Sequence, residues 1–191
     1  MLNLRHLCLA LLFVCAATIF TAAQECSLKP DQAPALRGFR LGMTTQELQE
    51  KVVGVGGLEK ADEVGMTETT LYPFQMKSKE DVSGIQYVKL TLLDKRLTAI
   101  ELRYDGSTDW DGVDQFAAKI SESLQLPKMS KGRFGFLNRR SRTLECGGFR
   151  VEAALVEDDR GSLTLSEGGL KETVEKRKAE SKAKGQQTFK P

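Results

Sequence analysis

The chain has 191 residues, 40% of them hydrophobic and 28% charged, a balance that fits a folded globular protein of one domain or two small ones. The formal net charge of +2, from 28 basic and 26 acidic side chains, is too small an excess for a bulk nucleic-acid binder. The single histidine is His6.

The chain opens as a targeting signal. Arg5 is the only charge in the first stretch, and Leu7 to Phe20 (LCLALLFVCAATIF) is uncharged. That run has the length of a signal-peptide core and is short for a membrane span. Thr21-Ala22-Ala23 supplies the small residues that signal peptidase prefers. Residues 1–23 are therefore read as a signal peptide, cleaved after Ala23, with no stable membrane insertion afterwards; the alternative is an uncleaved anchor. Neither Cys15 nor Cys26 follows a small residue, which argues against lipid attachment. The expected location is secreted or periplasmic. Removing the segment takes away His6 and two of the four cysteines, leaving Cys26 and Cys146. In an oxidising compartment these two form one bridge, closing a loop of roughly 120 residues. The alternative is two free thiols.

Residues 24–36 form an N-terminal strap with Pro30 and Pro34. Thr44 with Glu47 three residues later makes a capping box, and Met43 with Leu48 a hydrophobic staple. A helix of about ten residues is expected, stopped near Gly54, Gly56 and Gly57. Thr67 to Gln75 is β-prone, with Pro73 marking an edge or a bulge. Ile85 to Leu93 and Leu97 to Tyr104 alternate around an Asp94-Lys95 turn, an antiparallel hairpin with one buried face. A second helix starts near Thr108, with Thr108 and Asp111 as its capping pair. Trp110, Val113, Phe116, Ala117, Ile120 and Leu124 form its apolar stripe, and Pro127 ends it. Strands are expected at Phe134 to Leu137, Thr143 to Cys146, Phe149 to Val156 and Ser162 to Ser166. Residues 168–191 are rich in Lys and Glu and read as a frayed helix with a disordered end.

The order helix-strands-helix-strands implies an α+β fold of two tandem helix-plus-antiparallel-sheet units, 37–106 and 107–167, with the helices on one sheet face. The hairpins KLTLLDKRLTAIELRYDG and FRVEAALVEDDRGSLTLSEGG share an apolar-polar rhythm, which suggests duplication.

The stretch GFRLGMTTQELQEKVVG resembles the helix-opening motif of the SmpA/OmlA family, which includes the small lipoprotein of the outer-membrane β-barrel assembly machinery. Gly42-Met43-Thr44, Glu47, Leu48 and Gly54 carry the resemblance. The tandem order is similar to that of the β-lactamase-inhibitor protein. Both resemblances imply a non-catalytic extracytoplasmic module that works through its surface.

With His6 in the removed segment, Ser-His-Asp and Cys-His nucleophilic sites and histidine-ligated metal centres have no residues to build them. Gly54, Gly56 and Gly57 follow a helix rather than a strand, so they read as a helix stop and not a phosphate loop. Asp105, Asp109, Asp111 and Asp114 cluster beside Trp110, where they serve the helix N-terminus or alternatively bind Ca²⁺ or a sugar. Lys128, Lys131, Arg133, Arg139, Arg140 and Arg142 form a basic patch interleaved with Phe134 and Phe136, read first as a solvated strand face and loop with the Phe residues buried, and alternatively as a surface for an anionic envelope polymer or an acidic protein. The expectation is a secreted or periplasmic binding module with no catalysis, no cofactor and no metal. Its partner would be an extracytoplasmic protein or an envelope polyanion, not nucleic acid. The alternatives are a proteinaceous enzyme inhibitor and, last, a carboxylate-based hydrolase. A concave sheet with exposed Tyr72, Tyr87, Tyr104 or Phe74 would favour protein binding or inhibition.

Overall fold

Thr44 opens the first helix as its sequence predicts. Its hydroxyl accepts from the Glu47 amide, and the Glu47 carboxylate accepts from the Thr44 amide at 2.7 Å. These bonds hold the Glu47 carboxyl below the usual carboxylate range. The computed structural model describes residues 26–54, 58, 60–78, 82–131, 140–156 and 159–188. The expected signal peptide and the Phe134 to Leu137 strand lie outside these residues.

Helix α1 is Thr45–Lys51, shorter than expected. It stops at Val52 because Val52 turns extended and bridges Met76. Strand β1 is Met66–Leu71. The β-prone stretch breaks there into a 3-10 turn, Pro73–Gln75, with Pro73 at its first position. Strands β2, Ile85–Leu93, and β3, Arg96–Tyr104, form the expected hairpin. Asp94 and Lys95 both take positive φ (51° and 64°), as a tight two-residue hairpin turn requires.

Helix α2 is Val113–Ser123, starting later than the sequence suggests. Its N-cap is Gly112 at φ 133°, without a side-chain cap. The expected Thr108–Asp111 pair does not cap it. Asp111 is tied instead to Gln115, whose Oε1 accepts from the Asp111 amide and whose amide nitrogen donates to Asp111 Oδ2, both at 2.9 Å.

Strands β4, Ser130–Lys131, β5, Arg140–Glu145, β6, Phe149–Leu155, and β7, Gly161–Glu167, complete the sheet. The charged tail forms helix α3, Leu170–Thr188.

All seven strands lie in one sheet of order β1-β2-β3-β7-β6-β5-β4, and every neighbouring pair is antiparallel. The fold is α+β, with helices packed on an antiparallel sheet. Residues 37–106 supply β1 to β3 and residues 107–167 supply β4 to β7, and the halves meet where β3 pairs with β7. The register carries apolar rows straight through that seam: Leu90, Ile100, Leu165 and Val151 in one, Val88, Leu102, Leu163 and Ala153 in the next. These side chains are buried with Leu48 of α1 and Phe116 and Ile120 of α2 in a single core. The other face carries the alternate residues, Lys89, Glu101, Thr164, Glu152 and Thr143 in one row. Alternation of period two thus separates the faces.

The strap is fastened by the disulfide Cys26–Cys146, with sulfurs 2.04 Å apart. Beside it, the Gly147 amide donates to the Leu28 carbonyl at 3.1 Å. Gly148 sits at φ 129°, and a Cβ there would come within 2.4 Å of the Pro30 ring. Only glycine lets the strap lie this close to the β5–β6 turn.

Candidate functional site

The basic patch is partly drawn together. Lys128 and Arg142 line one cleft of about 300 Å³ beside α2, floored by Ala117, Leu126 and Met129. Arg142 is not free to hold an anion. Its guanidinium forks onto the Asp114 carboxylate at 2.6 and 2.8 Å and also donates to the Ser141 carbonyl. This tether ties α2 to β5 across 28 residues of sequence. Asp114 is 81% exposed, so the pair orients more than it stabilises. Lys131 lies opposite Arg142 on β4, and Arg140 lies opposite Leu155 on β5. Arg133 and Arg139 lie outside the described residues.

Three acids of the cluster, Asp105, Asp111 and Asp114, go to separate partners. Hydrogen bonds from the Ser107 hydroxyl first, and then from its amide at 2.8 Å, lower the Asp105 pKa, while Asp111 goes to Gln115 and Asp114 to Arg142. Among the described residues no three His, Cys, Asp or Glu side chains come together as a metal site would require.

The aromatic residues separate into two kinds. Tyr104 packs edge-on against Phe116, ring centroids 5.5 Å apart, and burial pushes its phenol pKa up. Tyr87 is half-buried under the Arg103 guanidinium, 5.7 Å above its ring. By contrast Tyr72 is 47% and Phe74 83% exposed. Their rings are parallel, with centroids 6.0 Å apart. Val53, 55% exposed, donates its amide to the Gln75 carbonyl at 2.7 Å, which sets its backbone beside the same turn. Among the described residues these three are the exposed large hydrophobics, and all lie beside the Pro73–Gln75 turn. Sequence reasoning missed Val53, which looked like part of a helix end. The available signal was the Tyr-Pro-Phe triplet, where proline forces a turn between two large rings.

A second cleft, about 350 Å³, opens between α3 and the start of β1, lined by Glu63, Asp94, Arg177, Glu180 and Lys184 among others. Arg177, about two turns into α3, donates to both Asp94 oxygens, at 2.9 and 2.6 Å, and to the Val64 carbonyl at 3.0 Å. The Arg177 hydrogen bonds hold the Asp94 carboxyl below its ordinary range. The folded-state pKa is the lower one, so this clasp is fully in force above about pH 4 and fails as pH falls through that lower value. Acidification through this window is expected to lower amide protection around Arg177, measured against the intrinsic exchange rate at each pH. Asp94→Asn should show the lower protection at neutral pH. Unchanged exchange in the variant would mean that buried Val174 and the Arg177 bond to the Val64 carbonyl hold α3 without the Asp94 carboxylate.

No described helix is long and apolar enough to cross a membrane. In comparisons with protein-family models, curated proteins and solved structures, nothing matches this chain.

Proposed function

We propose that the protein is a secreted or periplasmic binding module that recognises another protein through its surface and performs no catalysis. The disulfide supports an oxidising compartment. The observation that carries the binding reading is the exposed Tyr72–Phe74 pair with Val53 beside it. Scattered exposed apolar residues are ordinary, but a cluster of them is an interaction surface, and aromatic anchors dominate such interfaces. The SmpA/OmlA-like and inhibitor-like resemblances agree with a surface function.

The reading is tested with the full chain immobilised in an envelope extract. Capture is expected to persist when salt rises from ~0.1 M to ~1 M, because an apolar contact is not screened. It should be lost in the Tyr72→Ala/Phe74→Ala variant. Capture that survives the double variant but collapses in high salt, and in Lys128→Glu, would replace this reading with a polyanion ligand at the basic patch.

A further inference from the structure

We infer that the outer edge of β1 accepts a short extended segment of a partner protein as an added strand, with Tyr72 and Phe74 anchoring one of its apolar side chains. This rests on the binding-module reading and names its surface and the form of its ligand.

The register locates the opening. The Asp94 amide donates to the Gly65 carbonyl at 2.9 Å, and Gly65 is in line with the β1–β2 ladder. In an antiparallel ladder alternate residues turn both backbone groups the same way. Residues 67, 69 and 71 therefore bond β2, and Met66, Glu68, Thr70 and Tyr72 turn theirs outward. Both Met66 groups are taken by Asp62: the Met66 amide donates to Asp62 Oδ1 at 2.7 Å, and the Asp62 amide to the Met66 carbonyl at 2.8 Å. Both Tyr72 groups are taken by Gln75, at 2.9 and 2.8 Å. Between these clamps, no described residue bonds the outward groups of Glu68 and Thr70. They form a row of two donors and two acceptors, with the two residues about 7 Å apart along the strand.

Sheet edges are commonly blunted by lysine, proline, bulges or brevity. Strand β1 has six residues, contains neither lysine nor proline, and keeps an unbroken register with β2. Its one charge, Glu68, is already paired with Lys89 at 3.0 Å, so the opening asks for no counter-charge.

The occupant is a different protein rather than a second copy. Self-pairing would set Glu68 against Thr70 of the copy, and Tyr72 of the copy against Met66. Asp62 already occupies that place, and the copy's own Pro73–Gln75 turn would follow into it. A short segment without such flanks meets neither obstacle. Strand addition takes affinity from the backbone bonds and selectivity from alternate side chains. The preferred segment is uncharged, with β-branched or aromatic residues at alternate positions.

The probe is a displayed library of random short linear peptides, selected on the full chain. A selected peptide should slow amide exchange at Glu68 and Thr70. It should bind Thr70→Pro at least about tenfold more weakly. Proline there removes an outward N–H and leaves the β2 ladder intact, so the unfolding midpoint should barely move. Should Thr70→Pro fail to fold, two versions of the same peptide, N-methylated at one or the other alternate set of residues, make the test on the unaltered protein: the version methylated on the set facing β1 should lose binding and the other should keep it. Peptides that bind without protecting Glu68 and Thr70, or a selection that yields none, overturn strand addition. Capture by the Tyr72–Phe74 surface in envelope extract would still stand, which separates the two failures. Protection that appears without peptide as protein concentration rises would assign the edge to a second copy instead.

Discussion

Replacing Cys26 and Cys146 together by alanine is expected to destabilise the protein by about 4–5 kcal/mol, seen as a lower urea midpoint and a melting temperature about 10–20 °C lower. The size comes from the 120-residue separation of the two cysteines. Cross-linking residues so far apart removes a large share of the freedom of the unfolded chain, so its loss favours the unfolded state. Alanine is chosen because Cys26 is buried and serine would bury a hydroxyl there. Reductant added to the native protein should reproduce the effect. The folded contacts of the strap, Gly147 to Leu28 and Gly148 against Pro30, remain in the variant. A cost below about 1 kcal/mol would mean that the strap comes loose in the folded variant as well, so that the folded state gains freedom along with the unfolded one.

The second large effect is expected for Phe116→Ala, at about 3–5 kcal/mol. Phe116 is fully buried at the junction of α2 and the sheet. Its ring meets Tyr104 edge-on at 5.5 Å and Trp110 at 4.8 Å. Gly161 lets β7 approach so closely that a Cβ there would lie 2.8 Å from the ring. Truncation leaves a cavity that the rigid sheet cannot close. Trp110 is the only tryptophan, so its emission reports this site alone and should shift to the red. An unshifted spectrum with a small loss of stability would mean that α2 repacks onto the sheet without this ring.

Local physics was legible in the sequence, and distant pairing, apart from the Cys26–Cys146 bridge, was not. The Thr44–Glu47 box and the Asp94-Lys95 turn depend on residues within a few positions, so their pattern was sufficient. The second helix start was misread because Asp111 had two nearby partners to choose from and took Gln115 four residues on. Pro73 was read as marking an edge or a bulge within a strand; it instead ends the β-prone stretch in a 3-10 turn, and the strand before it, β1, is the sheet's outer strand. That the rings on either side of Pro73 stay exposed depends on what packs around the turn, which residue type does not encode. The basic patch was read as a line of charge. One of its members, Arg142, proved to be a tether to Asp114, a partner 28 residues away that no local pattern reveals. The open stretch of β1 was equally hidden, because it is defined by what Asp62 and Gln75 occupy.

The seam between β3 and β7 also sets the order of assembly. The β2–β3 and β6–β7 hairpins close over short turns, on the microsecond scale of such elements. The seam joins residues far apart, such as Glu101 and Ser162 at 61 positions, and must close a long loop before any contact there is gained. Until β7 arrives, β3 presents an unpaired edge whose Ile100 and Leu102 belong at the centre of the finished sheet. The interval before seam closure is therefore the time when the chain is most open to mispairing with another copy, and when a chaperone would act on it.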